Sequence, residues 1–187
     1  MKGYTNIKNI ENYLLTEIEL GFEEQVEEWI EQAEAFIERE TGRVFIADTE
    51  TSEKLYDGDN DTILFIDDCI SISKVEVNDI EIEVYPYPAN YTPITRIISS
   101  TRFTKGKQNI KVTAKWGYSE IVPADIKQAT TMLVAGFIDK GLKPKGDINT
   151  ISLGQYSAGF GGDIMKAKME ERKEQIKEIL SKYRRYD

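Results

Sequence analysis

The chain has 187 residues, 40% hydrophobic and 30% charged, enough for one ordinary domain with a real core and no disulfide or metal staple. Lysine and arginine total 24 against 33 aspartates and glutamates, a formal charge of -9, which excludes a nucleic-acid or anionic-membrane binder that works by bulk charge. Histidine is absent, so the commonest general base, the Ser-His and Cys-His nucleophile pairs and most zinc sites are excluded together.

In chain order, a short helix is expected over about 7–16, burying Ile10, Tyr13 and Leu14. From Phe22 to Thr41 there is no glycine or proline, and Phe22, Val26, Trp29, Ile30, Ala33, Phe36 and Ile37 recur on one helical face, which predicts a helix over 22–41. Glu23 and Glu24 complement its dipole in the first turn, Arg39 does so in the last, and Gly42 is placed to end it. Short β-branched and aromatic runs follow at Glu53–Tyr56, Thr62–Ile66, Ile70–Val77, Ile80–Tyr85, Ile94–Ser99 and Asn109–Trp116. They predict an antiparallel β section over about 51–117. Asp57-Gly58 and Asn78-Asp79 each read as a turn joining neighbouring strands into a hairpin. Pro86, Pro88 and Pro93 assign their stretch to a loop or to the sheet edge.

Helix returns over 123–140, opened by Pro123 and Asp125, and its apolar residues cover more than one face, as in a central helix. Gly136 on it would permit close approach of a neighbour. Residues 142–162 are rich in glycine, serine and asparagine and read as a flexible loop. A last helix is expected over 163–184, with a thin apolar seam of Met165, Met169, Ile176, Ile179, Leu180 and Tyr183. The expected fold is therefore α+β in a single domain, 1–187: a small helical bundle (7–16, 22–41, 123–140, 163–184) with an inserted antiparallel β section (51–117). The segment 17–40 is almost wholly acidic and 166–185 is net basic, so the two helices could meet between subunits.

Few motifs offer chemistry. Asp57, Asp59 and Asp61 alternate as in the first half of a calcium loop, but Thr62 stands where that loop needs glycine and Asp68 where it needs glutamate. A polar hairpin turn is the preferred reading, and a metal-dependent enzyme using these three is the alternative. Gly154 to Gly162 precedes a helix as phosphate-cradling loops do, yet it lacks the Gly-Lys-Ser/Thr ending and reads as a joint. Cys69, the single cysteine, lies beside Asp68, which raises its pKa, and is read as a packing residue. Asn60-Asp61-Thr62 and Asn90-Tyr91-Thr92 fit the glycosylation pattern without a secretory route to use it. The glutamates of the 22–41 helix could supply a pair of catalytic carboxylates, but most face away from its apolar stripe, and a solvated or subunit-facing surface is the preferred reading. No catalytic residue, metal or cofactor is assigned. No stretch reads as a signal peptide or membrane span, so an intracellular site of synthesis is expected. The terminal run Lys182, Tyr183, Arg184, Arg185, Tyr186 has three readings: a dipole-matching helix end, a protein-docking tail, or a phosphate and base contact.

Three blocks in order resemble the head-tail connector (adaptor) proteins of long-tailed double-stranded DNA bacteriophages. They are Ala33, Ile37, Thr41-Gly42-Arg43 and Phe45; Trp116-Gly117-Tyr118 followed by Val122-Pro123-Ala124-Asp125-Ile126-Lys127-Gln128-Ala129; and Ile151-Ser152-Leu153-Gly154-Gln155-Tyr156-Ser157 ahead of a charged terminal helix. The resemblance implies a structural virion protein at the head-tail junction, assembled in the host cytoplasm. It would form a homo-oligomeric ring, a dodecamer in the virion, beneath the portal protein. DNA would pass through its channel without sequence-specific binding, and a downstream stopper or tail protein would dock on it. The family's terminal segment docks on the portal, which falls here on Lys182, Tyr183, Arg184, Arg185 and Tyr186. The β section goes beyond the smallest members, which are nearly all helical. A stopper or tail-completion protein is the nearest alternative, and an α+β binding module another.

Overall fold

A computed structural model describes residues 2–141, 150–153, 156–159 and 162–185. The chain divides into a helical unit, residues 1–42 with 123–187, and a sheet unit, Arg43–Val122.

The helical unit starts with α1, Ile7–Leu14, capped by the Asn6 side chain, which accepts from the Asn9 N–H at 2.9 Å. Ile10 is fully buried, but Tyr13, expected inside, is 41% exposed and stacks under the Arg172 guanidinium at 5.6 Å. The helix stops at Leu14, short of the expected 16, because Leu15 turns left-handed. Helix α2, Glu23–Thr41, ends as expected at Gly42, whose φ of 67° lets its N–H reach the Glu38 carbonyl at 2.8 Å. Helix α3, Ala124–Gly141, starts beside Pro123 and packs on α1, α2 and the terminal helix α4, Gly162–Tyr183. It is the central helix its many-sided apolar pattern predicts. Ile10, Val26, Ile30, Ala33, Val134 and Ile138 form the core, the isoleucines and valines each contributing about 1.5–3 kcal/mol if fully removed from water. The Arg172 side chain lies against Gly136, where a methyl group would meet it at 3.6 Å.

Within the stretch expected to be a loop, Thr150–Leu153 and Tyr156–Gly159 pair as an antiparallel ribbon. Residues 142–149, 154, 155, 160 and 161 lie outside the described residues, as do Tyr186 and Asp187.

The sheet unit contains β1 (Ser52–Gly58), β2 (Ile63–Val77), β3 (Ile80–Glu81), β4 (Tyr85–Tyr87), β5 (Ile94–Ile98) and β6 (Gly106–Trp116). Their order is β1-β6-β2-β5-β4, with β3 also on β2. The Asn78-Asp79 hairpin forms, both residues taking positive φ, as a tight two-residue turn requires. The Asp57-Gly58 hairpin does not. Strands β1 and β2 never pair, because β6 inserts between them and bonds to both. The two expected strands 62–66 and 70–77 are one 15-residue strand, bent where the register shifts around Cys69. The expected strand 80–85 is only two residues long. Pro86 sits in the edge strand β4, where its missing N–H costs the sheet nothing. Leu64, Ile66, Val75, Ile97, Phe103, Ile110, Val112 and Trp116 fill the inner face.

Candidate functional site

The terminal segment is held against its own unit. The Tyr183 hydroxyl donates to Asp125 at 2.7 Å, tying the end of α4 to the first turn of α3. The Arg185 N–H donates to the Thr41 carbonyl at 2.9 Å, and the Arg184 guanidinium reaches the carbonyl and carboxylate of Glu40 at 3.3 and 3.4 Å. The end of the basic helix therefore meets the end of the acidic one inside a single chain. Lys182 pairs only loosely with Glu178, at 3.7 Å, and is exposed. Four of the five predicted docking residues thus fall together where α2 ends, offering Lys182 and Arg184 outward; Tyr186 lies outside the described residues. Two further side-chain links lie elsewhere in the helical unit, the first part-buried and the second buried. Arg172 and Asp139 meet at 2.8 Å, and the Thr5 and Thr131 hydroxyls at 2.7 Å.

Asp57, Asp59, Asp61 and Cys69 are occupied by structural work, while the 154–162 candidate lies partly outside the described residues. Asp57 accepts the Gln108 N–H at 2.7 Å and pairs with Lys107, contacts that lower its pKa. Asp59 and Asp61 accept the N–H groups of Asp61 and Thr62. Among the described residues no group of three potential ligands converges as a metal would need. Burial, with the Asp68 charge second, pushes the Cys69 thiol up to about 12, which leaves it a neutral packing group.

Two of the resembling blocks meet at a joint. One Arg43 guanidinium nitrogen reaches both Asp68 carboxylate oxygens at 2.7 Å, and the same guanidinium lies 5.6 Å over the Tyr118 ring, which in turn packs on Phe45. The Tyr118 N–H donates to the Val44 carbonyl, Ala47 to Ser119, and Asp48 to Trp116. Gly117 lies at the centre with φ of 132°, and a Cβ there would sit 2.4 Å from the Ala47 Cα. The Gly117 N–H donates to the Asp68 carbonyl at the β2 bend. The close crossing of these two chain segments leaves no room for a side chain at Gly117.

Two features escaped the sequence reading. Glu34 is buried and accepts the N–H groups of Lys2, Gly3 and Tyr4 at 2.6, 2.8 and 2.9 Å. Its signal was its position four residues after Ile30 and three before Ile37, on the apolar stripe. Phe65, Arg96 and Tyr87 form an outward row across β2, β5 and β4 that only the strand register could reveal.

A family model described as head completion protein matches residues 5–186. Two solved structures share the fold. One is the neck of an empty gene transfer agent particle computed with C6 symmetry, with a TM-score of 0.61 and 12% identity over 100% of this chain and 92% of that chain. The other is the neck of the native particle computed with C12 symmetry, with a TM-score of 0.56 and 14% identity over 100% of this chain and 93% of that chain. No curated protein matches. The family match runs from ahead of α1 to beyond α4, taking in both units, and on it the chain belongs to the head completion protein family, structural proteins of the phage head-tail connection.

Proposed function

We propose that the protein is a non-enzymatic adaptor that forms a ring beneath the portal at the capsid vertex, extends the DNA channel and offers a platform to the next connector or tail protein. The observation that carries this reading is the family match over nearly the whole chain. The structural engagement of Asp57, Asp59, Asp61 and Cys69 supports it as well. The exposed face of α2, with Glu24, Glu27, Glu28 and Glu31, suits a channel wall, because it offers phosphates no contact and its repulsion is screened beyond roughly 8 Å at physiological salt. Portal docking is assigned to the Lys182, Tyr183, Arg184, Arg185 and Tyr186 segment, with Tyr183 and the Arg185 backbone positioning it and Lys182 and Arg184 making the contact.

The test is co-sedimentation with portal rings of the same virus. The full chain is expected to pellet with the rings, and a chain ending before Lys182 is expected to stay in the supernatant. Because truncation also removes the Tyr183 and Arg185 anchors, Lys182→Glu with Arg184→Glu serves as the companion variant and should bind at least tenfold more weakly. A full chain that ignores intact portal would move the protein to a stopper or tail-completion position; undiminished binding by the charge-reversed variant would remove the docking assignment alone.

A further inference from the structure

On the sheet unit, Phe65 pairs with Arg96 and Arg96 with Tyr87, in one row across three strands. Leu64, Ile66 and Ile97 alternate with this row and are buried, so the row faces outward, leaving Phe65 66% and Tyr87 47% exposed. The Arg96 guanidinium lies 3.9 Å from the Tyr87 ring centroid and 6.0 Å from that of Phe65. Its Nε is buried with no acceptor, and no carboxylate among the described residues pairs with it. A cation between two exposed rings gains from their faces, but a buried donor without an acceptor is costly to keep.

On the helical unit, Leu14, Ile18, Phe22, Trp29 and Ile138 line an open apolar cleft, rimmed by Glu17 and Glu19. Both glutamates are exposed, and neither has a basic partner among the described residues. Next to them Leu20 is 91% exposed. One surface is aromatic with an unmatched cation; the other is apolar with unmatched carboxylates. They are complementary in charge and both carry exposed apolar surface, and the same chain holds both.

We propose that the cleft of one copy receives the Phe65, Arg96 and Tyr87 row of the next copy, with Glu17 or Glu19 supplying the carboxylate that the Arg96 guanidinium lacks. This rests on the ring-forming reading above and goes further by naming the two faces of the subunit contact. The contact is heterologous, the type that generates rings when its rotation closes. The Glu17 and Glu19 rim is separate from the α2 face assigned to the channel.

The experiment uses the full chain carrying Leu20→Cys and Tyr87→Cys, added to purified heads that lack the protein and treated with a short bismaleimide. The native Cys69 is buried and does not compete. On a denaturing gel the double variant should give a ladder of covalent multimers. An equal mixture of the two single variants should stop at dimers, and each single variant alone should give none. Completed heads without multimers, dimers from one single variant alone, or cross-linking of the Tyr87→Cys variant chiefly to a different polypeptide would each overturn the proposal while leaving the adaptor reading in place. If the wild-type chain fails to complete the heads, both fall. In a second arm, Arg96→Glu should lower head completion at least tenfold, and adding Glu17→Arg with Glu19→Arg should recover most of it. No recovery, with unchanged circular dichroism and a native unfolding midpoint, would also overturn it.

Discussion

Glu34 holds the start of the chain. A carboxylate with three N–H donors converging on it is a helix-capping arrangement turned sideways, with α2 supplying the anion and the segment before α1 supplying the donors. Lys2 and Tyr4 reinforce it through Glu38. Glu34→Ala would strand those donors and is expected to cost about 1.5–3 kcal/mol in urea denaturation, with early proteolysis before α1 as the local signature. Cys69 makes a second prediction at this scale. Its folded pKa is raised from an ordinary 9.0 to about 12, mainly by burial, and Tyr56 is raised for the same leading reason. Both groups are neutral in the fold, so the unfolded thiol ionises first. The stability they contribute is intact below about pH 9 and is lost as pH rises toward 12. The thermal midpoint should therefore fall steadily above about pH 9, less steeply in Cys69→Ala, and a thiol reagent at about pH 8 should react only after denaturant is added.

At the scale of elements, local pattern made the helices legible and non-local pairing hid the sheet. The apolar spacing from Val26 to Ile37, the stop at Gly42 and the many-sided α3 follow from a 3.6-residue period and a left-handed cap, and the structure has them as read. The Asn78-Asp79 hairpin is equally local. By contrast, nothing near Asp57 announces that β6, some fifty residues on, will separate β1 from β2; Gly58 instead bonds the Asn109 side chain. The residues of the candidate docking segment were visible as a charged aromatic run, but its anchorage was not, since Asp125 and Thr41 lie far away in sequence. The joint around Gly117 yields the prediction at this scale. Gly117→Ala would combine a disfavoured φ with a clash against the Ala47 backbone, and is expected to cost at least about 1–3 kcal/mol by thermal or urea unfolding.

For the whole molecule, the charge distribution decides what it tolerates nearby. With a net charge of -9 and an exposed row of glutamates on α2, it should not retard duplex DNA in a gel at physiological salt. Reversing Glu24, Glu27 and Glu28 to lysine should produce a retardation that disappears as salt is raised, and a native chain that already shifts DNA would remove α2 from the channel wall. The exposed ion pairs contribute only about 0–1 kcal/mol each, so apolar contact has to hold any assembly together.

The joint also changes what the sheet unit costs the helices. Eighty residues, Arg43–Val122, separate α2 from α3, and a flexible loop of that length would oppose their pairing with the entropy of a long closed chain. Instead, residues 44–48 and 116–119 are bonded to each other near the points where the chain leaves and returns. In the folded sheet unit those ends are already brought together, so to the helices the insertion behaves as a short tether. Changes in the size of the sheet unit should then have little effect on the helical frame, because they leave the distance between the two ends of the insertion unchanged.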